Sequence, residues 1–204
     1  ILSGLVGSEM CIRDSMPPPC SRSYLREHGG GMESMAKVAV KNHGNAALNP
    51  YAQFRKPRTL EQVLASPKVA GDLTVQQCCP RGEGAAAVLL VSGQALARLG
   101  LEPRRCVRVH ASAANSERDE TRYGEGPIDL VRDSARAALE QAGIGATELD
   151  LLELHDAFSV EELLYSEAVG VCQPGEGAAY LERGDSRIGG CLLYTSDAAD
   201  DLLC

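Results

Sequence analysis

One stretch of the sequence, residues 149–164, constrains the fold more than any other, because its spacing changes from that of a strand to that of a helix. The leucines of residues 149–154 leave little room for polar side chains, which is typical of a buried strand that ends at His155. Ser159 followed by Glu162 predicts a capping box, and apolar residues then recur at helical spacing. The sequence therefore predicts a buried strand, a turn that carries His155, and a helix behind it.

The place of His155 in this pattern suggests a function. In α/β sheets, ligands bind beyond the carboxyl ends of the strands, where helix N-termini favour negative charge. A histidine there can donate a hydrogen bond to an oxyanion, or it can cap the strand end by bonding to a neighbouring turn. Spacing alone leaves both interpretations open.

Strand-like and helix-like segments alternate along much of the chain. Residues 85–92 and 106–111 are predicted to be strands, the first of them buried. Helices are predicted at three places, each followed by a stop signal: from the Thr59 and Gln62 capping box to Leu64 before Pro67, over residues 94–99 before Gly100, and over residues 128–142 before Gly143. This alternation indicates an α/β fold with parallel or mixed strands.

Residues 24–53 are polar and marked by glycines. Met35, Val38 and Ala39 make only a short apolar helical face, and residues 49–51 predict a turn. We expect this segment to be an excursion outside the core.

Both ends of the chain match one DNA element. Residues 191–196 can be encoded by TGTCTCTTATACACATCT, and the reverse complement of that DNA encodes residues 10–14 in another frame. The element matches the transposase end used to prepare sequencing libraries. We therefore expect residues 1–15 and 191–204 to be translated adapter and not native protein. The alternative is a short amphipathic leader and an acidic tail.

The composition of the chain limits which kinds of binding partner we expect. The whole chain carries 20 basic and 28 acidic side chains, of which one basic and five acidic ones fall in those two ends, so residues 16–190 have a net charge of −4. No basic stripe with interleaved aromatic residues predicts nucleic-acid binding, and no apolar run is long enough for a membrane span. The five cysteines of this body are odd in number and lack pair-like spacing, which favours reduced thiols over zinc ligands or disulfides: Cys20, Cys78, Cys79, Cys106 and Cys172.

Four segments occur in the order found in one known family: AKVAVKNHGNAALNPYAQF, LTVQQCCPRGEGAAAVLL, ELHDAFSVEELL and ERGDSRIGG. Through them the chain resembles the thiolases, and within these the sterol-carrier-protein-X type, over residues 24–190. The resemblance implies a layered α-β-α-β-α architecture built from two similar halves. Residues 16–100 would be the end of the N-terminal half, with part of its coenzyme A-binding loop excursion, and residues 101–190 the start of the C-terminal half. The architecture in this chain would therefore be incomplete.

The chemistry that the resemblance implies is thiolysis of a 3-oxoacyl-CoA, or its reverse, Claisen condensation, through a cysteine acyl-enzyme. Coenzyme A would be a substrate, with no permanently bound cofactor and no metal. His155 stands where most thiolases carry asparagine, and in the sterol-carrier type it is taken to donate to the thioester enolate oxygen. The family's nucleophilic cysteine lies upstream of the matching region and its Gly-His-Pro and Cys-x-Gly motifs lie downstream, so we expect the chain itself to be inactive.

The residues leave two alternatives open. One is a thiolase-like retro-aldolase of steroid side-chain CoA esters, for which a tyrosine is expected in place of His155. The other is a non-catalytic thiolase module that binds acyl-CoA or lipid, or that holds an OB-fold partner. The resemblance further implies a parent protein that is a homodimer or tetramer, cytoplasmic in a bacterium or peroxisomal in a eukaryote. It assigns no residue of this chain to coenzyme A contacts.

Overall fold

The computed structural model describes residues 24, 27, 28, 31–80, 85, 87–102, 104, 106–116, 126–190 and 193–196. The helices of this part are α1 (Met32–Ala46), α2 (Leu60–Leu64), α3 (Gly93–Arg98), α4 (Gly126–Ala142), α5 (Ser159–Val169) and α6 (Gly177–Arg183). Its strands are β1 (Lys68–Ala70), β2 (Leu73–Thr74), β3 (Leu151–Leu154) and β4 (Leu193–Ser196). Short 3-10 turns cover Val75–Gln77 and Ala146–Glu148.

The predicted start and stop signals set the ends of several helices. The Gln62 N–H donates to Thr59 Oγ1 at 3.3 Å, and the Thr59 N–H donates to Gln62 Oε1 at 3.1 Å, so the capping box before α2 is confirmed. Gly100 follows α3 with a φ of +63°, and Gly143 follows α4 with a φ of +72°. Only glycine adopts such angles without steric cost, which explains why the predicted helices end there.

The core is centred on α1 and α5. Its buried side chains are Tyr24, Met35, Val38, Leu73, Val160, Leu163, Leu164 and Leu181. The apolar stripe of α1 packs against α2, α5 and α6. The prediction that residues 24–53 lie outside the core is therefore wrong, although the predicted turn is present, with the Tyr51 N–H donating to Asn49 Oδ1 at 2.9 Å.

β3 pairs in parallel with β4, and Leu151 lies opposite Leu193. The strand predicted over residues 149–154 thus begins two residues later, and its side chains alternate between exposed and half-buried. The prediction of a buried strand is wrong in this respect. A strand is buried on both faces only where its sheet has a covering layer on each side. In the described residues, β3 belongs to a sheet of two strands, β3 and β4. β4 lies within residues 191–204, whose adapter origin stays a prediction.

Two other predicted strands are not strands. Residues 87–92 and 106–111 form no strand pairing, and Val88 and Val107 are 86% and 94% exposed. An apolar run becomes a strand only where a neighbouring strand accepts its backbone hydrogen bonds. None of the described strands pairs with these two segments. Within the same part of the chain, no helix has the length and apolar character that crossing a membrane requires.

Candidate functional site

The turn between β3 and α5 carries the predicted site residue. His155 follows β3 directly and its side chain is exposed, whereas Asp156 and Ala157 behind it are buried. α5 begins at Ser159. The order of strand, turn and helix is the one that the sequence predicts, and it presents the His155 side chain at the surface of a buried turn. The role of His155 as a hydrogen-bond donor stays a prediction.

Glu161 holds this turn from the helix side. Its Oε2 accepts the N–H of Ala157 at 2.6 Å and the N–H of Phe158 at 3.4 Å, and the residue is 1% exposed. The predicted capping box of Ser159 and Glu162 is wrong. Since Phe158 is the N-cap, Ser159 is the first helical residue, and the third helical position, from which a side chain reaches back to the cap, falls on Glu161.

Cys78 and Cys79 hold the turn from the opposite side. The Cys79 N–H donates to the Ala157 carbonyl at 2.9 Å, and Cys78 pairs with Phe158 as an antiparallel bridge. Both backbone polar groups of Ala157 are therefore bonded, one to each side of the turn. Sequence reasoning missed this contact, because the cysteines lie far from the turn in the chain and carry no pairing signal.

The electrostatics of the turn follow from burial. Burial raises the pKa of Glu161 to about 7, against the opposing effect of the Ala157 and Phe158 N–H groups and of nearby His155. Burial, with Glu161 next in effect, also raises the pKa of Tyr165 on the same helix. Because the Glu161 carboxylate already accepts the amide groups at the start of α5, these amides do not serve an external oxyanion. The His155 side chain is exposed beside these bonded amides.

The described cysteines form no disulfide bond with one another. Burial raises the pKa of Cys78 to about 11, and burial with nearby Glu167 raises the pKa of Cys172 to about 12. A nucleophilic cysteine needs a lowered pKa, so neither of these two thiols is activated. Among the residues that the structure describes, no three His, Cys, Asp or Glu side chains are close enough together to hold a metal ion.

Glu162, the residue after Glu161, is buried in the core. Its Oε1 lies 3.1 Å from Lys41 Nζ and accepts the Ser186 hydroxyl at 3.2 Å, and its Oε2 accepts Asn42 Nδ2 at 3.5 Å. Burial raises the pKa of Glu162, and Lys41 acts against this rise. These contacts join α5 to α1 and to the loop after α6, and they fix the helix that starts at the His155 turn.

Residues 114–196, which include this turn, match the family described as Thiolase C-terminal domain-like. Sterol carrier protein 2 of Bos taurus is 36% identical over 174 residues, covering 83% of this chain and 32% of that protein. The benzoylsuccinyl-CoA thiolase subunit BbsB of Thauera aromatica is 38% identical over 179 residues, covering 85% and 45%. The acetyl-CoA acetyltransferase of Methanothermobacter thermautotrophicus is 37% identical over 170 residues, covering 83% and 44%.

The chain belongs to the thiolase family. It spans between about a third and less than half of the length of these relatives. Among solved structures, the Ltp2-ChsH2(DUF35) aldolase matches this chain with a TM-score of 0.71 and 23% identity, over 94% of this chain and 50% of that one. At this identity the likeness shows the fold, and the prediction of a thiolase-like α/β fold is confirmed.

Proposed function

We propose that this chain is part of an acyl-CoA C-acyltransferase that thiolyses 3-oxoacyl-CoA, or condenses acyl-CoA, through a cysteine acyl-enzyme. The observation that carries the proposal is the exposed His155 at the end of β3, on a turn whose Ala157 peptide groups are both bonded. Two relatives bear names that specify CoA thioester chemistry, which supports acyl-CoA and coenzyme A as the substrates. The enzyme holds no permanent cofactor in this proposal.

The role of His155 follows from the chemistry of the reaction. When the bond between the α and β carbons of the acyl chain forms or breaks, negative charge develops on the thioester oxygen as an enolate. An N–H of the His155 ring donates a hydrogen bond to that oxygen, and a donor held in a fixed place lowers the barrier. The raised pKa values of Cys78 and Cys172 make these two thiols unsuited to be the nucleophile. In this proposal the acyl-bearing cysteine lies upstream of the matching region, as the resemblance to the thiolases implies.

The segments around this chain are tested by sequencing the source DNA outward, with primers in the codons for residues 36–54 and 153–164. A nucleophilic cysteine codon upstream, with Gly-His-Pro and Cys-x-Gly motifs downstream, supports the acyltransferase. In that case residues 16–100 and 101–190 are the adjoining parts of its two halves. Genuine genomic context at the present ends would contradict the adapter origin of the termini, and would leave a binding module for acyl-CoA or lipid.

The role of His155 is tested by His155→Ala in a complete thiolase that contains this chain. We expect turnover in thiolysis and condensation to fall by about 10²-fold or more, because one oxyanion donor is lost, while acyl-enzyme formation changes less. His110→Ala is the matched control, since that histidine is also exposed and lies outside the turn. An unchanged rate in His155→Ala would refute the assignment. Cleavage of a 3-hydroxyacyl-CoA without free coenzyme A would indicate a retro-aldolase instead.

A further inference from the structure

We propose that Glu161 is a positioning residue for His155, because its buried carboxyl group fixes the turn between β3 and α5 and so sets the place of the His155 ring. The inference rests on the proposed role of His155 as the enolate donor. Glu161 itself is 1% exposed, so its carboxyl group is not accessible to a substrate.

The backbone contacts support this role. Glu161 Oε2 accepts two successive amide groups, those of Ala157 and Phe158, while Cys79 bonds the Ala157 carbonyl from the other side. Ala157 is 1% exposed, so the surrounding residues enclose it. His155 is two residues before the peptide that Glu161 holds. A shift of this peptide would therefore move the histidine ring, and a misplaced donor loses much of its effect on a reaction.

The contacts indicate that the reach of Glu161 is decisive and its charge is secondary. One oxygen, Oε2, makes both hydrogen bonds, and a glutamine carries an acceptor oxygen at the same distance from the backbone. Burial raises the pKa of Glu161, so the site does not favour the charged form. An aspartate keeps the carboxylate but is one methylene shorter, and it cannot reach both amides from the same helical position.

Two substitutions of Glu161 therefore show whether the length of its side chain or its charge positions His155. In a complete thiolase containing this chain, we expect Glu161→Gln to keep kcat within about fivefold of the parent. Glu161→Asp should lower kcat by about 10²-fold while KM changes little, because the donor is misplaced only as charge develops. Glu153→Gln, an exposed glutamate on β3, is the control for loss of a charge near His155 and should leave kcat unchanged. A larger loss in Glu161→Gln than in Glu161→Asp, or equal losses, would overturn the proposal.

A second measurement does not depend on activity. In the 204-residue chain, the amide proton of Ala157 bonded to a carboxyl oxygen should resonate downfield in a ¹H–¹⁵N spectrum and exchange slowly with solvent. Glu161→Gln should keep the slow exchange, and rapid exchange in this variant would overturn the positioning role even if Glu161→Asp does not fold. Failure of the His155→Ala test alone would instead reject the function of His155, because the amide measurement does not involve the reaction.

Discussion

Loss of one partner from the buried pair of Lys41 and Glu162 should be among the most damaging changes in this chain. The two side chains are 2% and 1% exposed, and their charged atoms are 3.1 Å apart. Glu162→Ala would leave the Lys41 ammonium in the core without the carboxylate that faces it. Breaking a buried pair in this way costs about 3–5 kcal/mol. Since domains are stable by about 5–15 kcal/mol, the variant should lose a large share of its free energy of unfolding.

The size of the effect comes from a balance of two large contributions. At 3.1 Å and an effective dielectric constant of about 20, the attraction between the charges is about 5 kcal/mol. Removing each ion from water costs several kcal/mol, so the pair as a whole contributes little, while either ion alone is unfavourable. We therefore expect the double variant Lys41→Met with Glu162→Leu to be close to the parent in stability. Lys41→Met alone should cost less at pH 5 than at pH 8, because Glu162 can then take up a proton.

Urea unfolding of the 204-residue chain, followed by circular dichroism, gives these free energies directly. Lys37→Met is the matched control, because Lys37 lies on the same helix and pairs with Glu33 and Glu182 in a half-exposed position. Exposed pairs contribute about 0–1 kcal/mol, so this variant should hardly change the midpoint. A loss in Glu162→Ala no larger than in Lys37→Met would show that the buried pair is not desolvated, and would refute the reasoning.

Three further outcomes are expected in the same assay. Tyr24→Phe removes the 2.5 Å hydrogen bond from the Tyr24 hydroxyl to Glu167 Oε1 and should cost about 1–2 kcal/mol, so an unchanged midpoint would contradict the contact. Gly177→Ala would place a Cβ 2.6 Å from the Leu163 carbonyl oxygen and should destabilise by about 1–3 kcal/mol, whereas a neutral effect would mean that α5 and α6 can separate. Burial raises the pKa of Glu161 from 4.5 to about 7, so between pH 4.5 and 7 the folded protein holds a proton on Glu161 that the unfolded chain has lost. The free energy of unfolding should therefore fall by roughly 3 kcal/mol as the pH rises through this range. Glu161→Gln should lack this fall, and an equal slope in the variant would contradict it.

Signals that act within a few residues could be read from the sequence. The capping box of Thr59 and Gln62 and the helix end at Gly143 involve only neighbouring backbone groups, and both are present in the structure. The start of α5 shows the limit of such signals. Of the adjacent glutamates Glu161 and Glu162, only Glu162 stands three residues after a side chain that can cap a helix, that of Ser159. The helix start nevertheless falls one residue earlier, with Phe158 as the N-cap, so Glu161 is the residue that reaches back to the turn.

Burial could not be predicted in the same way. Val88 and Val107 are apolar and were expected in strands, yet both are exposed, because a strand needs a partner whose position the local sequence does not contain. The opposite error concerns Met35, for which the sequence predicts a place outside the core and which is fully buried. Most of the buried residues that form the core with Met35 lie far from it in the sequence. The residues just before it in the sequence are mostly polar or glycine, so they do not predict its burial. The contact of Cys79 with Ala157 was missed for the same reason.

The two glutamates connect the core to the proposed site. Consecutive residues of a helix project about 100° apart around its axis, so Glu161 can face the turn while Glu162 faces Lys41 on α1. A rotation of α5 that breaks the ion pair would also turn the Glu161 carboxyl group relative to the Ala157 amide. We therefore expect the position of His155 to depend on this charge pair in the core. If this coupling holds, Glu162→Ala should speed the solvent exchange of the Ala157 amide under conditions where the variant is still folded, and Lys37→Met should not.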